Sequence, residues 1–334
     1  MEHSHRRGIY FALFLMLFRF FFNVILSVIF SLVDRFILHE TEMNMLAIVT
    51  SPWFMIFGLV MTLLVPLAIW LAVFGEKINN NLPHMRLGKR NILLIIGISL
   101  MLNPVANVIS GITSLFFPNE IAGIMQGVIE DYPLFLILLA VAITPAICEE
   151  VVFRGYIQSA YKNKSLLTML LMNGFFFAII HQSPQQFFYA FAMGIIFAYM
   201  VYATRSIRAG VIAHFIMNAS SIMLAWIASH ILNYMESLQL KTEPENIPEL
   251  SEQAQILTAV AFWGVIAMFT STAAVFLFRE FITHNKKRVA EYEAKNTVEE
   301  VLCKEEPTQK RKNLITDTAL ILAIVALYVI FVLA

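Results

Sequence analysis

The chain has 334 residues, of which 59% are hydrophobic and 14% charged, whereas a soluble domain carries about 25% charged residues. Its 23 Lys+Arg balance 23 Asp+Glu, so no basic surplus points to nucleic acid. A mean hydropathy of +0.74 and long apolar runs without period-two alternation exclude a soluble enzyme and a β-barrel, and select membrane-spanning helices that satisfy their own backbone hydrogen bonds.

In chain order the apolar stretches fall at about 8–33, 45–74, 91–117, 133–161, 165–182, 185–203, 207–234, 256–281 and 314–334, each near or above the ~20 residues that cross a bilayer. They predict an all-α polytopic membrane protein, a bundle of about eight to nine transmembrane helices. The first stretch follows His5-Arg6-Arg7 and is longer than the ~7 to 15 residues of a signal h-region, with no small-residue cleavage site after it; it reads as an uncleaved span. The organisation expected is 1–132 as N-terminal spans, 133–234 as a core of spans four to seven, and 235–282 as an extracytoplasmic loop with span eight. A charged cytoplasmic connector follows at 283–313, solvated and with a helix around Val289 to Leu302, then a last span at 314–334.

Charge alternates from loop to loop. The N-terminus and 75–90, 162–164, 204–208 and 279–313 hold nineteen of the Lys+Arg, whereas 34–44, 118–132, 183–185 and 235–255 hold only Arg35 and Lys241. The positive-inside rule then puts the N-terminus in the cytoplasm and, with nine spans, the C-terminus outside, in a cell membrane. Cys148 adjoins a carboxylate pair and Cys303 lies in the charged connector, so no disulfide framework is indicated.

Two arginines, Arg19 and Arg154, sit inside spans, and Arg154 belongs to the run Cys148-Glu149-Glu150-Val151-Val152-Phe153-Arg154. Successive helical residues point about 100° apart, so Glu149 and Glu150 cannot share a face, whereas Glu150 and Arg154 at i,i+4 do. Pairing Glu150 with Arg154 lowers the cost of both charges and leaves Glu149 as the proton acceptor. Of eight histidines only His181 and His214 look embedded; Phe177 lies four residues before the first and Asn218 four after the second. A carboxylate, two imidazoles and an amide suffice for water-mediated peptide hydrolysis, in which a base takes a proton from water and donors hold the oxyanion. No GxSxG, HExxH or GxGD-type aspartate pair is present, so serine, thermolysin-like and aspartyl schemes lack their residues.

Glu-Glu-xxx-Arg at 149–154, Phe-xxx-His at 177–181 and His-xxx-Asn at 214–218, in that order on separate segments, resemble the three motifs of the CAAX prenyl endopeptidase and bacteriocin-processing family, CPBP or Abi, over roughly 133–234. The resemblance implies a four-helix catalytic core, with Glu149 and His181 activating water, His214 and Asn218 holding the oxyanion, and Glu150, Arg154 and Phe177 supporting the site. Its substrates would be membrane-bound or lipid-linked peptides, with membrane lipid as the surrounding partner and no nucleic acid. No cofactor is favoured, although Glu149, His181 and His214 also make a His₂Glu zinc set. The competing functions are a non-catalytic scaffold such as a bacteriocin-immunity protein, and a proton-coupled transporter.

Depth presents a difficulty. Counted at about 1.5 Å per residue from the cytoplasmic helix ends, Glu149, His181 and His214 lie roughly 18, 24 and 12 Å deep. Straight upright helices cannot bring them together, so tilt, a broken fourth helix or inset helix starts are required. Cleavage is expected near the cytoplasmic half of the bilayer.

Overall fold

The computed structural model describes residues 4–33, 35–36, 45–77, 82–238, 251–302, 321–326 and 328–329. In chain order the helices are α1 (Ser4–Val33), α2 (Met45–Val49), α3 (Pro52–Phe74), α4 (Lys89–Ser114), α5 (Glu120–Asp131), α6 (Leu134–Ala160), α7 (Leu166–Ile179), α8 (Pro184–Thr204), α9 (Ile207–Ser237) and α10 (Glu252–Leu302). Among the described residues seven are long and apolar enough to cross a membrane, with α7 a shorter apolar helix beside them. Most of the expected ninth span and the connector beyond Leu302, with Cys303, lie outside the described residues, as do His3, His39 and Lys241.

The expected helical bundle is present, with two differences. Residues 118–132, expected as a loop, contain the amphipathic helix α5, which Asn119 caps by accepting from Ala122 N at 3.2 Å. The solvated connector expected from 283 is instead a continuation of α10, and part of it is docked. Asn285 is buried in a reciprocal amide pair with Asn91 of α4 (3.1 and 2.8 Å). Arg288 donates to Thr204 O at 3.0 Å, and Tyr202 donates to Glu293 at 2.7 Å. A helix can run straight through a composition change when one of its faces keeps finding partners, and hydropathy averaging does not see that.

One apolar cluster joins α1, α3, α6 and α7 and another joins α4, α8, α9 and α10. Small residues set the spacing of α7 and α8: a β-carbon on Gly194 would lie 2.8 Å from Gly174 Cα, so the backbones meet where neither has a side chain. Polar bonds tie α4 to its neighbours. Asn103 donates to Met217 O, Ser220 Oγ and Ser221 Oγ of α9 at 2.9 to 3.1 Å, and Gln185 of α8 donates to Ser110 Oγ at 2.6 Å.

The fourth predicted span, α6, is not a regular helix. π-Helical turns occupy Leu139–Ile143 and Val151–Ile157 on either side of the carboxylate pair. Each wider turn shifts the helical phase and leaves carbonyls for other donors. Thr144 Oγ1 donates to Leu139 O at 2.7 Å, and Asn173 of α7 donates to Phe153 O at 2.8 Å. Pro145 has no N–H to offer Val141 O four residues back; Asn218 Nδ2 of α9 donates to that carbonyl at 3.0 Å.

Candidate active site

Glu149, Phe177, His181, His214 and Asn218 line one cavity of about 400 Å³. The depth difficulty is resolved by local structure. The π turns re-aim α6, and α7 stops at Ile179, so His181 sits on the four-residue link into α8 rather than within a helix. There the chain reverses through Gln182 at φ 53°, and Ser183 Oγ accepts from Gln186 N at 3.4 Å with Pro184 opening the next helix.

Glu150 is fully buried and engaged. Arg154 Nη1 donates to its Oε1 at 2.8 Å, the i,i+4 pair expected, and His214 Nδ1 meets the same oxygen at 3.1 Å. Arg154 also donates to Gly194 O at 3.2 Å, and its guanidinium lies 4.2 Å from the Phe177 ring centroid. Room for Glu150 comes from α9: a β-carbon on Gly210 would overlap Glu150 Oε2 and lie 3.0 Å from Cδ. Glu149 is different. It is buried too, and Oε2 of each carboxylate lacks a protein hydrogen-bond partner among the described residues, but Glu149 is the one of the two that lines the cavity.

The hydrogen bonds also assign imidazole atoms. His181 Nδ1 lies 2.7 Å from Phe177 O; a carbonyl only accepts, so Nδ1 carries the hydrogen and neutral His181 keeps its lone pair on Nε2. An ionised Glu150 likewise only accepts, so His214 donates from Nδ1 and presents Nε2 elsewhere. Phe177 separates the two rings, edge-on to His181 at 5.1 Å and to His214 at 5.6 Å.

Two nearby groups were missed in reading the sequence. Arg19 of α1 interacts electrostatically with both Glu149 and His181, and Tyr189 of α8 lines the cavity within electrostatic range of Glu149. Arg19 carried a signal, since it is an intramembrane arginine with no sequence partner. Tyr189 carried none among so many membrane aromatics.

Among the described residues no three His, Cys, Asp or Glu side chains come together as a metal-ligand group. Both histidines bond through Nδ1 to a carbonyl or carboxylate and keep Nε2 for the cavity, an arrangement that serves a metal ligand as well as a metal-free site.

Residues 131–220 match the family model described as type II CAAX prenyl endopeptidase, Rce1-like. This part of the chain is similar to the core of the CPBP family. The match covers a little over a quarter of the chain and runs from just before α6 to the middle of α9, taking in every motif residue. No curated protein and no solved structure matches the chain. The seven apolar helices and the match together make this an integral membrane protein with a core similar to that of CAAX-type proteases. The CPBP core supplies the motif side chains, while the cavity wall formed by Ala106, Asn107, Ser110, Asn119 and Met125 comes from chain outside the match.

Proposed function

We propose that the cavity is the active centre of a glutamate-type intramembrane endopeptidase acting on a membrane-associated or lipid-linked peptide. The observation that carries this reading is the division of labour between the adjacent carboxylates: Glu150 is held through Oε1 by Arg154 and His214 and does not line the cavity, while Glu149 lines it together with His181, His214 and Asn218.

In this mechanism water bound between Glu149 and the Nε2 lone pair of His181 attacks the scissile carbonyl carbon. Its proton passes to Glu149, and the carbonyl π pair becomes the oxyanion. His214, donating from Nε2 in its doubly protonated form with Glu150 as counter-charge, and the second N–H of Asn218 hold that oxygen. Collapse breaks the C–N bond, and Glu149 returns the proton to the leaving amine. Arg154 and Phe177 are positioning residues. No metal takes part in these steps.

Comparative peptide mass spectrometry of membranes carrying wild type or Glu149→Gln tests the proposal, because the amide keeps the size of the side chain and removes the base. Cleavage products present with wild type should disappear with the variant. Identical peptide profiles from an equally stable variant would refute the protease mechanism.

A further inference from the structure

The basic loops meet at one end of the bundle, and the cavity is set back from that end. One end is assembled from loops that are far apart in sequence. Met85 N donates to Arg205 O at 2.9 Å and Ile207 N to Pro83 O at 2.7 Å, joining the α3–α4 and α8–α9 links. Arg205 stacks on Tyr292 of α10, and Arg7 of α1 pairs with Glu76 after α3. Gly8 packs against Ala160 and Tyr161, which brings the end of α6 and the Lys162–Lys164 link to the same place. This end therefore gathers Arg6, Arg7, Lys77, Arg86, Lys89, Arg90, Lys162, Lys164, Arg205, Arg208 and Lys286 to Arg288.

The long helices that line the cavity do so with residues set back from that ring, α4, α6 and most of α8 with the half turned away from it and α9 from its eighth residue to its middle. α4 starts at the basic end and contributes Ala106 to Ser110 near its finish; α6 finishes there and contributes Val141, Pro145 and Glu149 from before its finish. α8 contributes Gln185 to Phe197, short of its basic end at Thr204, and α9 contributes His214 to Ile222, beyond its basic start. Below the carboxylates the way is shut by Val152, Phe153, Arg154, Tyr156 and Ile157, all buried, while in the opposite direction the lining reaches the exposed Asn119, Ile121 and Ala122 of the α5 region. The expectation of a site toward the basic, cytoplasmic half is thus not met: the cavity runs from mid-bundle to the far end.

From this polarity and the charge split between loops we infer that the catalytic cavity opens to the extracytoplasmic side, and that its substrate is a polypeptide segment presented there, not the cytosolic tail of a prenylated protein. The substrate half of the inference rests on the protease reading. The lining fits such a segment chemically. Asn107, Ser110, Asn119, Gln186 and Ser221 offer neutral amides and hydroxyls, which match the alternating donors and acceptors of an extended peptide backbone. No Lys or Arg is among the lining residues to hold a free C-terminal carboxylate.

Single cysteines at Ile121 (Ile121→Cys), at the cavity mouth, and at Gly88 (Gly88→Cys), in the basic ring with all of its charges kept, give a direct test in a Cys303→Ser background. A membrane-impermeant maleimide is applied to right-side-out and inside-out vesicles, with the parent as blank. Ile121→Cys should label only in right-side-out vesicles and Gly88→Cys only in inside-out ones. Labelling of Ile121→Cys from the inside-out face, or from neither face, would overturn the assignment. The bonds whose cleavage depends on Glu149 supply a second readout: they should lie in extracytoplasmic segments, and a set confined to cytoplasmic C-termini would overturn it. If no bond depends on Glu149, the protease reading fails while the labelling still decides the side.

Discussion

Replacing Gly210 by alanine should reverse the usual sign of a glycine-to-alanine change. In mid-helix that change ordinarily stabilises by about 0.5–1 kcal/mol, because glycine loses more backbone freedom on folding. Here the new methyl would overlap Glu150 Oε2 and sit 3.0 Å from both Glu150 Cδ and Val201 Cγ2. The carboxylate has to move, and its Oε1 is shared by Arg154 at 2.8 Å and His214 at 3.1 Å. Losing the His214 bond alone costs roughly 1.5–3 kcal/mol as a charge-assisted hydrogen bond, and separating the buried Arg154 pair costs about 3–5 kcal/mol. Net of the helix gain, the variant should lose about 1–4 kcal/mol. A displaced His214 should lower cleavage on the order of 10²-fold, the usual effect of a misplacement near 1 Å. Gly264→Ala, with nothing within 4 Å of the added carbon, is the control and should be neutral or slightly stabilised. Thermal unfolding in detergent and product formation are measured on the same preparations. A Gly210→Ala protein that unfolds no earlier than wild type and cleaves normally would show that the geometry around Glu150 does not govern the site.

The two adjacent glutamates should respond oppositely to the same substitution. Glu149→Gln should lower cleavage about 10²–10⁴-fold with little change in unfolding, whereas Glu150→Gln leaves Arg154 buried without its counter-charge and should destabilise by about 3–5 kcal/mol; equal loss of stability in both variants would remove the distinction. Asn218→Ala should reduce turnover about 10²–10³-fold through loss of an oxyanion donor, and also destabilise by about 1–3 kcal/mol because Val141 O loses its donor beside Pro145. Exhaustive chelation of the purified protein should leave cleavage unchanged; activity lost on chelation and restored by zinc alone would replace the glutamate mechanism with a metal-dependent one.

Much of the site was legible because helix periodicity is a short-range rule. The i,i+4 spacing of Glu150 and Arg154 predicted a pair that the structure contains at 2.8 Å, and the same rule sent Glu149 to another face. The His214–Glu150 contact was not legible, because it joins residues 64 apart across two helices. Nor was the engagement of Asn218 with Val141 O: Pro145 deprives that carbonyl of its usual helix donor, but the replacement comes from another helix 77 residues away. Arg19 was visible as a charge inside a span, but nothing local indicated that α1 would deliver it to Glu149 and His181. The docked part of α10 escaped for a similar reason: Asn285 and Arg288 read as solvated polar residues until Asn91 and Thr204 are seen opposite them.

Composition and hydropathy alone determined that this chain is a helical membrane protein, since a backbone in lipid must bond to itself, and motif order alone marked out the residues of the CPBP core. Tertiary structure decided how those residues meet. Rigid upright helices would have held Glu149, His181 and His214 at different depths, whereas in the packed structure, with π turns in α6 and α7 ending before His181, they line one cavity. It also decided which end of the bundle that cavity opens toward, because that depends on helices packing around it and not on any one segment's own sequence.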